Sequence, residues 1–354
     1  MSIDGSSPIR QTIPLGTQWP TLDPFLFCAH HLDRYPESNG SLGPKPALSG
    51  RQIGQDFAGI DGWNMYHGSS VPGFPQHPHR GFETVTYVRQ GWCDHSDSLG
   101  AQARFGQGDV QWLTAGGGIV HAEMFPLFDQ NGPNTLHLFQ IWLNLPAASK
   151  MVDPYFSMFW NHQIPKVGHD GVEVTVIAGK LGDQEPPPPP PDSWASADSD
   201  VAIWHIRLEP GASWTLPPTG PESSRVLYLF EGDGTTVAGQ LGAANTCVVV
   251  DPSAEIPITA GERAAGERAA GGRPAGGGAE FLMLQGRPID EPVAQYGPFV
   301  LNDEAGVRQA MADYQRTGFG GWPWPSDDPV HGGEAERFVR HADGRREAVA
   351  GAQR

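Results

Sequence analysis

Cysteine is scarce: Cys28, Cys93 and Cys247 are the three in 354 residues, odd in number and far apart. No disulfide framework follows from such spacing, and buried reduced thiols are expected instead. Charge is sparse and one-sided. Only 18% of residues are charged, and 23 Lys and Arg against 40 Asp and Glu give a formal net charge of −17. A chain so acidic is repelled by phosphate backbones, so direct nucleic-acid binding is not expected. No apolar run approaches the roughly 20 residues that span a bilayer. The opening Met1-Ser2-Ile3-Asp4 lacks the basic and apolar regions of a signal peptide. These absences read as a cytoplasmic protein without membrane contact.

Long helical patterns are missing as well, and 46 Gly and 34 Pro stand in their place. Punctuation that dense suits many short strands and turns, an all-β chain. The stretch from His77 to Glu123 stands out. It holds two pairs of metal-ligating residue types, His77/His79 and His121/Glu123, each spaced i, i+2. In a strand such residues share a face, with Cα atoms roughly 6.5–7 Å apart. Two neighbouring strands carrying such pairs can aim four side chains at one point. Three neutral imidazoles and a carboxylate suit Fe(II), Mn, Ni, Cu or Zn. The flanks favour strands: Glu83–Val88 reads ETVTYV, and Gly116-Gly117-Gly118 allows a bend before Ile119. Pro78 cannot donate to a ladder, which places its strand at an edge or a start.

The segments HPHRGFETVTYV, GDVQWLTAGGGIVHAEM, FQIWLNLP and GRPIDEPVAQYGPFVLN resemble the pirin family of the cupin superfamily. The resemblance covers most of residues 17–320. It implies a bicupin, two tandem cupin (jelly-roll-like) β-barrels with few short helices. It also implies the metal ligands His77, His79, His121 and Glu123. The ordinary cupin pattern would make Glu83 a ligand, but Gly73 lies too near His77 for that pattern, and Gly91 lies one residue too far from Glu83. On the pirin pattern Glu83 is not a ligand. The implied cofactor is one divalent first-row metal per chain, iron first, with Mn, Ni, Cu, Co or Zn as alternatives. Pirins that are quercetin 2,3-dioxygenases deprotonate a flavonol at its 3-hydroxyl, hold it on the metal and cleave it with O2, releasing carbon monoxide. In that reading Glu123 is the catalytic base, and the partners are an aromatic, flavonol-type substrate and O2. Other pirins are regulators that bind protein partners and respond to metal redox state. That is the alternative here.

Around this stretch the chain divides into three expected parts. Residues 17–148 form the metal-binding barrel. Residues 149–302 form a second barrel, with low-complexity insertions near 183–198 and 260–279. Residues 303–354 form a helix and a polar tail. A faint repeat lays Val85–Gly91 on Val226–Gly232, and on that register the places of His77 and His79 fall on Pro218 and Gly220. The second barrel is therefore expected to lack a metal site. Pro186–Pro191 reads as a stiff surface loop, and Gly261–Gly278 as a disordered insertion. Residues 1–16 read as loosely held. His30 and His31 are adjacent, so on a strand they face opposite ways and do not chelate together. His67 reads as packed or exposed, His95 as surface among turn formers, and His331 and His341 as belonging to the polar tail. Gln140 is the polar residue of Leu136–Leu145 expected to face inward. Asn302 is expected to cap a helix ended by Gly318.

Overall fold

The computed structural model describes residues 7–262 and 278–349. It forms two compact units, one from Ala29–Asn161 with Glu291–Arg354, the other from Met1–Cys28 with His162–Asp290. Both are built of antiparallel strands, as the Gly- and Pro-punctuated composition requires.

In the first unit one sheet runs Tyr155–Phe159, Asp109–Thr114, Phe82–Gln90, Asn134–Asn144, Phe25–Tyr35. Its partner runs Arg346–Val349, Arg337–Arg340, Gln102–Gly106, Trp92–Asp97, Ile119–Met124, Gly73–His79. Inward residues of both sheets, among them Val88, Leu113 and Leu138 from one and Ala103, Phe105 and Ile119 from the other, form one apolar core. That is the expected outcome of two amphipathic sheets burying their apolar faces against each other. Gly73–His79 is an edge strand, which is where Pro78 can be tolerated. The bend ahead of the Ile119–Met124 strand needs its glycines. Gly116 and Gly118 have φ of +48° and +133°, and a Cβ on Gly118 would lie 2.7 Å from the Phe319 ring.

The second unit has a sheet ordered Ile9–Pro14, Thr246–Val250, Ser224–Glu231, Ala279–Gly286, Ala202–Leu208, Val172–Ala178, Lys166–His169. A smaller sheet contains Ser213–Leu216, Ile256–Thr259, Thr236–Val237 and Gln240–Leu241. Val174, Trp204, Leu227, Ile256 and Phe281 are part of its own core. The faint repeat has a structural counterpart. Phe82–Gln90 lies between Asp109–Thr114 and Asn134–Asn144, and Ser224–Glu231 lies likewise between Thr246–Val250 and Ala279–Gly286.

Several sequence expectations need amendment. The divide drawn at 148/149 precedes Tyr155–Phe159, yet that strand pairs with Asp109–Thr114, so the break between units follows Asn161. Ile9–Pro14 is not loose, because it pairs with Thr246–Val250. Asp303, not Asn302, caps the helix Glu304–Thr317: its carboxylate accepts from Gly306 N at 2.7 Å, while Gly318 closes the end at φ 55°. The polar tail is ordered into Arg337–Arg340 and Arg346–Val349, which extend the sheet beside Gln102–Gly106. Most of the Gly261–Gly278 segment, residues 263–277, lies outside the described residues. All three cysteines are buried and free.

Candidate metal centre

Gly73–His79 pairs with Ile119–Met124 in the register Phe74↔Glu123, His77↔His121, His79↔Ile119. Between the first two pairs the register shifts, so Pro75 and Gln76 together oppose Ala122. This bulge has a geometric consequence. Phe74 and His77 are three residues apart and would face opposite ways on a regular strand. The extra residue puts both on the face shared by His121 and Glu123.

On that face His77, His79 and His121 come together, with candidate ligand atoms all within 4.8 Å of one another. The ring centroids are 4.5 Å apart for His77–His121 and 4.8 Å for both His77–His79 and His79–His121. His77 is the most exposed of the three. Its Nδ1 lies 2.8 Å from the Pro75 carbonyl, which fixes the ring and leaves Nε2 as the donor to the site. His79 hydrogen-bonds the Pro298 backbone, while its Nδ1 has no partner. Both ring nitrogens of His121 are buried without one. Burial pushes all three down: His77 to about 4, and His79 and His121 well below the usual histidine value. The imidazoles are therefore neutral at physiological pH, with lone pairs available. A buried polar atom left unpaired costs about 1–3 kcal/mol, and a first-row cation bound here would relieve that cost for one nitrogen on each ring it engages, His121 among them. The residues fit a metal of this class.

Two carboxylates stand in the same barrel in different settings. Glu123 is buried, which raises its pKa. Gln140 Nε2 donates to its Oε2 at 3.2 Å, and Thr86 Oγ1 lies 3.0 Å from its Oε1 and 2.7 Å from Gln140 Oε1. Gln140 thus faces inward, in direct contact with Glu123. Glu83 is buried and accepts from Thr114 Oγ1 at 2.7 Å. Neither carboxylate belongs to the three-histidine group.

The reading of His95 as a surface residue is overturned. His95 is fully buried in the strand Trp92–Asp97, in register with Glu123, with its ring 5.5 Å from His121. Its Nε2 lies 3.0 Å from Asp97 Oδ2, and the other Asp97 oxygen accepts from Leu99 N and Ala101 N. The turn-forming composition of CDHSDS concealed a strand. The signal was the alternation Cys93, His95, Asp97 two residues apart. The remaining histidines lie outside the cluster. His30 pairs with His137 at 2.7 Å, His31 with Tyr66 Oη at 2.7 Å, and exposed His67 with the Gly54 carbonyl at 2.7 Å. His205, in the second unit, meets Glu280 at 3.0 Å.

Fold and site together define a two-barrel cupin-type protein with a three-histidine cluster in one barrel. The chain belongs to the pirin family. The Pirin family model matches residues 8–143, and the Pirin C-terminal cupin domain matches residues 203–320. A pirin-like protein of Solanum lycopersicum is 36% identical over 276 residues, 76% of this chain and 86% of that one. The Pseudomonas aeruginosa protein named "Putative quercetin 2,3-dioxygenase PA3240" is 36% identical over 250 residues, 69% of this chain and 79% of that one. The crystal structure of a quercetin 2,3-dioxygenase from Acinetobacter baumannii superposes with TM-score 0.68 over 88% of this chain and 98% of that chain, at 24% identity. At that identity the likeness speaks for the fold.

Proposed function

We propose that this pirin is a metal-dependent dioxygenase that cleaves a flavonol such as quercetin with O2. The observation that carries the reading is the convergence of three neutral imidazoles, two of them with buried unpaired nitrogens, with a buried carboxylate on the same face. His77, His79 and His121 would hold one divalent first-row metal, iron first, with Glu123 as fourth ligand. When bound, such an ion supplies a positive centre with open positions for an oxygen-bearing substrate and O2. The 36% identity to a relative with a quercetin dioxygenase name supports the substrate class.

The chain's own part is proton handling and positioning. Glu123, when it leaves the ligand set, would take the proton of the substrate 3-hydroxyl on Oε. Its burial raises its basicity above that of an exposed carboxylate. Thr86 and Gln140 hydrogen-bond its two oxygens and position the carboxylate beside the histidines. The apolar walls around Phe82 and Trp142, whose rings lie 5.0 and 5.5 Å from His79, limit water at the site.

The test is O2 uptake by the Fe(II)-loaded protein with quercetin, beside His121→Ala. Uptake with loss of flavonol absorbance, absent in the variant, is the expected result. No uptake by a fully metallated sample would count against flavonol cleavage and move the redox-responsive regulator with protein partners ahead.

A further inference from the structure

The edge strand carrying His77 is held from outside by the last part of the chain, beyond the residues that the family models match. Gln76, in the bulge, donates its backbone N–H to the Asp327 carbonyl at 2.7 Å and its side-chain Nε2 to Asp327 Oδ1 at 2.7 Å. Three residues earlier, Trp324 Nε1 donates to the Asp97 carbonyl at 2.8 Å. Asp97 is the register partner of His121 on the other side of the Ile119–Met124 strand. The short run Trp324–Asp327 therefore bonds both strands that flank the His121 strand. It is anchored further on: His331 N donates to Asp94 Oδ2 at 2.7 Å, and its Nε2 meets the His95 carbonyl at 2.8 Å. Arg104, itself bonded to Asp94 at 2.6 Å, reaches the Gly332 and Glu334 carbonyls.

A bulge leaves an unpaired residue, and on an edge strand nothing in the sheet holds that residue in place. Here the bulge decides which face His77 and His79 present. We infer that the C-terminal segment is a clamp for the metal face, with Gln76 and Asp327 as the positioning residues that hold the bulge and so the aim of His77. This inference rests on the reading of His77, His79 and His121 as metal ligands.

Cobalt(II) tests it, because affinity and the visible d–d absorption report coordination without any turnover. Gln76→Glu sets a carboxylate against that of Asp327. It should weaken Co(II) binding about tenfold, as loss of an orienting contact does at metal sites, and alter the absorption bands. Asp327→Asn added to it restores a donor and acceptor, and should return affinity and spectrum to near the wild type. A merely structural contact would shift the melting temperature of Gln76→Glu while leaving affinity and bands unchanged, and that result overturns the clamp. So does a double variant as impaired as the single one. If Gln76→Glu does not fold, Gln76→Ala, which loses only the side-chain bond, replaces it. Its unchanged affinity and spectrum would likewise overturn the inference. Failure of the wild type to bind Co(II) is a separate outcome, which removes the metal reading and the clamp with it.

Discussion

At the scale of single residues, chemistry turns on which polar atoms are paired. His121 has two buried nitrogens without a partner and His79 has one, while the Glu83 carboxylate is engaged by Thr114. Purified protein should therefore carry close to one first-row metal per chain. His79→Ala should lose most of it, and Glu83→Ala should retain it, as read by elemental analysis. Loss in Glu83→Ala with retention in Glu123→Ala would reverse the carboxylate assignment. Gln140 was legible in the sequence as an inward polar residue, because alternation on a strand tells the two faces apart. His95 was not legible. Local composition argued for a turn, and burial between two sheets is set by partners distant in sequence.

At the scale of elements, the site depends on two irregularities in otherwise regular strands, the bulge at Pro75–Gln76 and the glycine bend ahead of Ile119. Gly118→Ala places a methyl 2.7 Å from the Phe319 ring at a φ of +133°, a region that suits glycine. Strain and overpacking together should cost about 2–4 kcal/mol, seen as a lower midpoint in urea denaturation. An unchanged midpoint would show that Phe319 gives way freely. The helix was legible from its apolar spacing and its glycine stop. Its cap was misplaced by one residue because Asn302 and Asp303 are both good caps by type, and only the backbone shows which carboxylate or amide faces Gly306 N.

At the scale of the whole molecule, buried histidines link stability to acidity. His31 and His77 are both lowered from 6.5 to about 4, by burial first. A depressed folded value means that the unfolded chain binds the proton first as pH falls. Stability is therefore full above about 6.5 and is lost progressively down to about 4. Each such histidine contributes on the order of a few kcal/mol to that loss. Asp33, raised by burial to about 6, opposes part of this loss, but His79 and His121 are lowered too and outweigh it. Urea midpoints of the metal-free protein should therefore fall across this window, and a flat profile would show that these rings take up protons in the fold as readily as in the unfolded chain. Protons compete with metal for the same nitrogens, so metal release should follow the same direction.

The sequence by itself determined the β class, the faint repeat between the two halves, and the i, i+2 spacing of His77 with His79 and of His121 with Glu123. All of these are local: residue type, spacing and turn residues are readable along a line. Only the tertiary structure decided that the bulge turns the first pair toward the second, and that His95 lies buried beside them. It alone placed residues 9–14 and the segment after residue 320 on strands far from them in the chain. Those outcomes depend on register and on which edge remains open. Both are fixed by strand pairing between distant segments, which spacing along one segment does not encode.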